Sequence, residues 1–272
     1  MIKVYKKKIN TKYYQMVNGF IVALFGKRLG VSHLVEYPKC GGSWIRNMIQ
    51  SYLGGKEYLY DRLINRFDVI QTHSLYSRRY CRPIVVVRDP RDVFVSFYYH
   101  ELRQKKDNNF EPSVFQYFEH NPSLAVEEDF ANYFKAKLEN VTYPVFSYSE
   151  FIASWIDRFD ICMVRYEDCL TSCEGELIRI IDYLGLVADS DKINEIADYH
   201  SFEAETKRRY GTGRKAGESD ASKFQRKGIS GDWKNHFNEQ SCRLSEKYLS
   251  DVLYKLKYEK DSTWISEFLS KG

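Results

Sequence analysis

Lys39 stands directly before a glycine turn, in the stretch Tyr37-Pro38-Lys39-Cys40-Gly41-Gly42-Ser43-Trp44. The residues His33–Tyr37 are short and partly apolar, as a strand should be. Beyond the turn, Trp44, Ile45, Met48, Ile49, Tyr52 and Leu53 recur at spacings of three and four, which predicts a helix. Gly54 and Gly55 end it. Glycine lets a turn bring backbone N–H groups close to a ligand. At a helix start those N–H groups and the positive end of the dipole face the same way, which makes an anion site. Lys39 adds a full charge beside it. A Walker A loop would place Lys-Ser or Lys-Thr after the second glycine; here the lysine precedes both. Taken alone, the turn reads equally well as an ordinary strand-to-helix connection with a surface lysine.

A second cation, Arg88, closes the unbroken run Ile84-Val85-Val86-Val87, which fits a parallel strand buried on both faces. A guanidinium there offers two parallel donors to a phosphate. Asp89 then reads as an N-cap with Pro90 at the first helical position, opening a helix to about Leu102. Phe67–Thr72 reads as a strand ending at His73, and Ile161–Arg165 as one ending at Tyr166. Ser123–Asn140, Ser149–Arg158, Ser190–Tyr199, Phe202–Arg209 and Glu239–Lys257 read as helices. Thr171 with Glu174 reads as a capping box opening a helix to Leu184, and Gly211–Ser222 as a mobile loop. Strands alternating with helices predict an α/β fold: a single domain with a central parallel β-sheet flanked by helices. Such sheets bind ligands at the carboxyl ends of their strands, where Lys39, His73, Arg88 and Tyr166 all fall.

The 272 residues suit one large domain. Lys plus Arg number 41 against 37 Asp plus Glu, too mild an excess for a nucleic-acid binder but suited to an anionic small ligand if concentrated in a cleft. The six cysteines form no CxxC pair and no zinc spacing, so reduced thiols in the cytoplasm are the expectation. Residues 1–32 are a basic segment read as helical: Lys3, Lys6, Lys7, Lys8 and Lys12 precede the apolar run Met16–Phe25. That run is shorter than the ~20 residues a bilayer span needs, and no small-x-small cleavage site follows it. An amphipathic helix packed on the domain is the main reading. A peripheral membrane contact through the basic run is the second.

Three stretches carry a family resemblance. Tyr37–Trp44 resembles the 5′-phosphosulfate loop of the sulfotransferases that use 3′-phosphoadenosine-5′-phosphosulfate (PAPS), commonly Tyr-Pro-Lys-Ser-Gly-Thr-Thr-Trp. Ile84–His100 resembles that family's 3′-phosphate strand and helix. Arg226-Lys227-Gly228-Ile229-Ser230-Gly231-Asp232-Trp233-Lys234-Asn235 is similar to its C-terminal Arg-Lys-Gly-x-x-Gly-Asp-Trp-Lys-Asn signature, here complete. The three occur in family order. The resemblance implies a P-loop NTPase-like sulfotransferase fold over residues 33–272, with PAPS as co-substrate, 3′,5′-ADP as product and no metal requirement. It implies that Lys39, Cys40, Gly41, Gly42 and Ser43 hold the 5′-phosphosulfate. Arg88 and Ser96 would clamp the 3′-phosphate from one side, and Arg226, Lys227 and Gly228 from the other. Trp44 and Phe202 would sandwich the adenine and Tyr166 touch its edge. Lys39 would also be catalytic, and Thr72-His73 resembles the family's Lys-Thr-His segment, which makes His73 the general base. A neutral histidine suits that task; His100 is the alternative.

Two positions depart from the family pattern: Gln71 stands where lysine is usual, and Gly42 where threonine is. They keep two other readings open, a nucleotide kinase or phosphotransferase and an inactive protein that binds PAPS or 3′,5′-ADP. The acceptor is expected to be a small molecule, natural product or glycan, shaped by residues 103–150 and 211–222, with no nucleic acid as partner. A homodimer is a further expectation.

Overall fold

The computed structural model describes residues 2–55, 62–106, 130–141, 143–212 and 227–270. Helix α1, Ile2–Leu29, leads into strand β1, Ser32–Glu36, and the glycine turn into α2, Gly42–Tyr52. Strand β2 is Val69–Thr72 and β3 is Pro83–Val87, followed by α3, Pro90–Lys106. Then come α4, Phe130–Glu139, α5, Tyr148–Trp155, and β4, Cys162–Arg165. Helices α6, Tyr166–Thr171, α7, Cys173–Tyr183, α8, Ser190–Tyr199, and α9, Phe202–Thr206, follow. A 3-10 turn, Asp232–Asn235, precedes α10, Glu239–Lys255, and α11, Thr263–Leu269.

All described strands are parallel, in the order β2-β1-β3-β4. Leu34 lies beside Gln71 on one side and Ile84 on the other, and Val87 beside Arg165. Parallel pairing needs crossovers through helices, so helices cover both faces and β1 and β3 are buried along their whole length. The same pairing brings the carboxyl ends of all four strands to one edge. Residues 37–43, His73, Arg88 and Tyr166, far apart in sequence, therefore share that edge.

The local signals account for most boundaries. Asp89 Oδ1 accepts the Arg91 N–H (2.9 Å) and α3 opens at Pro90, as the sequence predicts. Helix α5 begins at a capping box that the sequence reading missed: Ser147 takes the Glu150 N–H and the Glu150 carboxylate takes the Ser147 N–H. It then buries Phe151, Ile152 and Trp155 in the main core. Truncating such a tryptophan costs about 3–5 kcal/mol. The expected capping box at Thr171 and Glu174 does not form. Thr171 ends α6, and its hydroxyl donates back to the Glu167 carbonyl (3.0 Å), a local bond that competes with capping the next helix. Of the predicted helix Ser123–Asn140, the part before Phe130 lies outside the described residues, as do residues 213–222 of the predicted loop.

Helix α1 packs on the domain along one narrow face. Asn18 donates through Nδ2 to the Arg62 carbonyl and accepts the Ile64 N–H through Oδ1, both at 2.9 Å. Val22 joins Val31, Ile64, Ile70 and Cys81 in a small satellite cluster. A Cβ at Gly26 would lie 2.8 Å from Cys81 Sγ, so glycine is what permits this approach. The sequence predicts an amphipathic helix packed on the domain, and α1 does pack there. Met16, Phe20, Leu24 and Phe25 face outward, because the contact stripe holds Asn18, Val22 and Gly26 and is too narrow to cover both sides of the helix.

Candidate active site

The glycine turn owes its shape to two left-handed residues, Lys39 (φ 77°) and Gly41 (φ 95°). For a lysine this region is uncommon, and such strain tends to collect at functional sites. Gly41 is also required by space, since a Cβ there would meet the Tyr166 ring at 2.5 Å. Cys40 turns its thiol into the core, where burial pushes its pKa well up, so this residue can serve a ligand through its backbone alone. The first N–H groups of α2 have no partners within the helix and open toward the strand-end edge.

Two of these N–H groups are already engaged, that of Trp44 with the Gly41 carbonyl (3.1 Å) and that of Gly42 with a carboxylate. Glu36, at the end of β1 and 3% exposed, accepts the Gly42 N–H at Oε2 (2.7 Å) and the Gln71 amide at Oε1 (2.6 Å). Gln71 Nε2 also reaches Ser43 Oγ at 3.1 Å. A Cβ at Gly42 would lie 2.5 Å from the Glu36 carboxyl carbon. Both departures from the family pattern thus surround one carboxylate: Gly42 leaves it room and Gln71 supplies a donor. Sequence reasoning missed Glu36. An acidic residue ending a strand before an anion loop was the available signal, but its inward rotamer was not.

His73 follows β2 and places Nδ1 3.1 Å from the Glu36 carbonyl. A carbonyl only accepts, so Nδ1 carries the proton and the neutral ring keeps its lone pair on Nε2. That tautomer is the one a general base needs. His100 lies about 15 Å farther along α3 than its first residue, at 1.5 Å rise per residue.

Arg88 ties the site together. Its guanidinium is 8% exposed and donates through Nη1 to the Lys39 carbonyl (3.3 Å) and through Nη2 to the Ile229 carbonyl (3.2 Å). It lies over the Tyr166 ring at 4.2 Å, and its buried Nε has no partner. One side chain therefore touches the glycine turn, the end of β4 and the C-terminal signature. The signature is fixed from beneath by α3. Asp92 accepts the Gly231 N–H (2.7 Å) and the Trp233 N–H (2.8 Å); burial pushes its carboxyl pKa up, against the pull of Arg88 and these N–H groups. Arg91 pairs with Asp89 and Glu259 and packs 3.9 Å over the Trp233 ring. Ser96 is one turn beyond Asp92 on the same face of α3, half-buried.

Within the signature, buried Asp232 gathers Lys227 Nζ (2.7 Å), Asn235 and His236. An ammonium has three donors, so this pairing leaves Lys227 capacity for another anion. Gly228 is left-handed (φ 69°), and a Cβ there would meet the Phe202 ring at 2.5 Å. Phe202 is half-buried with Arg208 5.1 Å above it, so it lines the site and is not part of the core. Trp44 donates from Nε1 to the His200 carbonyl (2.7 Å) and meets Tyr166 edge-on at 5.9 Å. His200 in turn bonds Ser51 and Glu205, which fixes the segment leading to Phe202 against α2. Arg226 lies outside the described residues. Lys39, His73, Arg88, Tyr166 and the signature from Lys227 meet at this edge, whereas Ser96 and His100 lie farther along α3. Asp92 and Asp232 were inside the quoted motifs, yet their role as clamps needed the coordinates.

This arrangement can hold an extended molecule with two anionic ends and a flat group between aromatic rings. Comparison with known proteins identifies the family and the fold. Residues 64–257 match the family model described as the sulfotransferase domain; the match includes Arg88, Tyr166, Phe202 and the signature and begins after the glycine turn. Sulfotransferase 2A6 of Mus musculus is 29% identical over 187 residues, 66% of this chain and 59% of that protein. Sulfotransferase 1E1 of Cavia porcellus is 27% identical over 246 residues, 75% of this chain and 76% of its own length. Among solved structures, mouse sulfotransferase SULT7A1 complexed with PAP shares the fold with a TM-score of 0.63 at 21% identity, covering 92% of this chain and 93% of that one.

Proposed function

From the premise that the chain belongs to the sulfotransferase domain family, we propose that it moves a sulfuryl group from PAPS to a hydroxyl or amine of a small-molecule, natural-product or glycan acceptor. The observation that carries this reading is Arg88, which bonds Lys39 of the glycine turn and Ile229 of the signature at once. A molecule gripped at both ends by segments so distant in sequence needs a bridge of this kind. The buried Arg88 Nε without a partner is a donor suited to a phosphate oxygen.

PAPS, when bound, supplies the sulfuryl group and leaves as 3′,5′-ADP. Lys39 and the N–H groups opening α2 hold its 5′ end, with Lys39 meeting the negative charge that develops on the leaving side; donors placed in advance for such charge are usually the largest catalytic contribution. Arg88, Ser96, Arg226, Lys227 and Gly228 hold the 3′-phosphate, and Trp44, Tyr166 and Phe202 the adenine. His73 Nε2 takes the proton from the attacking acceptor while its Nδ1–H stays on Glu36. Glu36 and Gln71 bring no net cation to the sulfuryl position, so the electrostatic load falls on Lys39. Residues 33–272 form the transferase domain and 1–32 a separate basic segment. All six cysteines are free thiols, which fits residence in the cytoplasm.

The test is transfer of labelled sulfate from PAPS, with ATP in parallel, to a panel of alcohols, phenols, amines and sugars. Labelled product from PAPS and none from ATP is expected. Phosphoryl transfer from ATP, or tight 3′,5′-ADP binding with no turnover on any acceptor, would overturn the reading.

A further inference from the structure

We infer that helix α1 docks this protein on an anionic lipid surface, with a phosphate-bearing headgroup seated in a groove between α1 and the β2–β3 connection. The inference stands apart from the sulfuryl-transfer reading.

The first observation is an outward apolar stripe. Tyr13, Met16, Phe20 and Leu24 follow one another at three- and four-residue spacing, which aligns them on one face of a helix. They are 56%, 60%, 67% and 71% exposed. The opposite face carries Asn18, Val22 and Gly26, which hold the domain. An apolar stripe of this size, with the inner face already used, is a surface for something else.

The second observation is charge. The sequence holds no Asp or Glu before Glu36, while Lys3, Lys6, Lys7, Lys8, Lys12, Lys27 and Arg28 all fall within α1. Pairing α1 with α1 of a second copy would bring two acid-free cationic helices together, which like-charge repulsion disfavours. An anionic bilayer meets both properties: apolar side chains enter the headgroup boundary while lysines and arginines attract the surface.

The third observation is the groove itself, of about 330 Å³, which Val22 and Leu24 share with Lys27, Arg28, Arg78 and Arg79. These four cations are exposed, and among the described residues no carboxylate lines the groove. It lies beside Leu24, so a headgroup there would sit level with the stripe. The groove borders Cys81, at the start of β3, so it occupies the amino-terminal edge of the sheet. The edge that carries Lys39 and Arg88 is the opposite one, and docking leaves it accessible.

The experiment is co-sedimentation of the full chain with vesicles of phosphatidylcholine mixed with phosphatidylglycerol, and with phosphatidylcholine alone, at low and high salt. Sedimentation with the mixed vesicles is expected, falling with salt as exposed charges are screened. Phe20→Glu with Leu24→Glu is expected to lower partitioning roughly tenfold or more, and Arg78→Glu with Arg79→Glu to lower it on mixed vesicles alone. Both pairs are expected to retain the wild-type thermal midpoint and 3′,5′-ADP affinity, which separates lost docking from misfolding. If the protein stays in the supernatant with all vesicles, or binds neutral and anionic vesicles equally, the inference is wrong. If light scattering shows a dimer that the Phe20→Glu, Leu24→Glu pair dissolves, the stripe is a self-association face and the inference is also wrong.

Discussion

The carboxyl edge of the sheet and the contact that carries α1 are held together by different kinds of contact. At the carboxyl edge, charged side chains cross long stretches of sequence: Arg88 reaches Lys39 and Ile229, Asp92 reaches Gly231 and Trp233, and Glu36 reaches Gly42 and Gln71. At the amino edge, α1 is held by Asn18 and a small apolar cluster. Buried polar networks impose one geometry because each unmet group is costly. One buried amide and a narrow apolar cluster impose far less. The difference teaches where precision is needed: a site that must position reacting atoms is cross-braced, whereas a helix that meets a surface needs only to be carried.

The sharpest way to break the comparison is at the proton acceptor. His73→Ala is expected to lower kcat by about 10²–10⁴, the usual worth of general acid–base catalysis, while 3′,5′-ADP affinity by calorimetry stays within about threefold. Turnover near the wild-type rate would remove His73 from the chemistry. Next comes the bridge. Arg88→Ala removes the guanidinium assigned to the 3′-phosphate, and a hydrogen bond to a charged group is worth about 1.5–3 kcal/mol, so nucleotide affinity should fall about ten- to a hundredfold. Vesicle binding should not change; a matching loss there would mean that the two edges are not independent.

The crowding at Gly42 is tested by a double-mutant cycle in urea unfolding. Gly42→Ala should cost about 1–3 kcal/mol by overpacking. In a Glu36→Ala background that cost should shrink by at least about 0.5 kcal/mol, though not vanish, since Leu34 Cδ2 also lies 2.7 Å from the new Cβ. Strict additivity would show that Gly42 makes no room for Glu36.

The last test concerns the amino edge. His33 is buried, and desolvation lowers its pKa to about 4, while Nδ1 accepts the Cys81 N–H at 3.0 Å. The unfolded chain, with the ordinary value near ~6.5, binds the proton first as pH falls. Neutral His33 therefore stabilises the fold fully above about pH 6.5, and that contribution is lost toward pH 4, amounting to roughly 3 kcal/mol at most. His33→Asn keeps an acceptor without the titration. The urea midpoint of the variant should drop less than that of the wild type between pH 7.5 and pH 5; equal drops would assign the acid sensitivity elsewhere.

By itself the sequence determined the order and kind of the main elements and the residues proposed for the site. The β-branched run at Ile84–Val87 required a buried parallel strand, Asp89-Pro90 a helix start, and Gly41 a turn that no larger residue could make. Those signals are local, so they survive without coordinates. It also named Lys39, His73, Arg88 and Tyr166, because strand ends of a parallel sheet must share an edge. Tertiary structure alone decided which partner each group takes. That Glu36 turns its carboxylate onto Gly42, that Lys227 pairs with Asp232, that Asp92 clamps the signature and that α1 turns Phe20 and Leu24 outward all depend on neighbours distant in sequence. The physical reason is that periodicity identifies an apolar face but not what covers it, and that a charged side chain chooses among partners only once folding has brought them within hydrogen-bond reach.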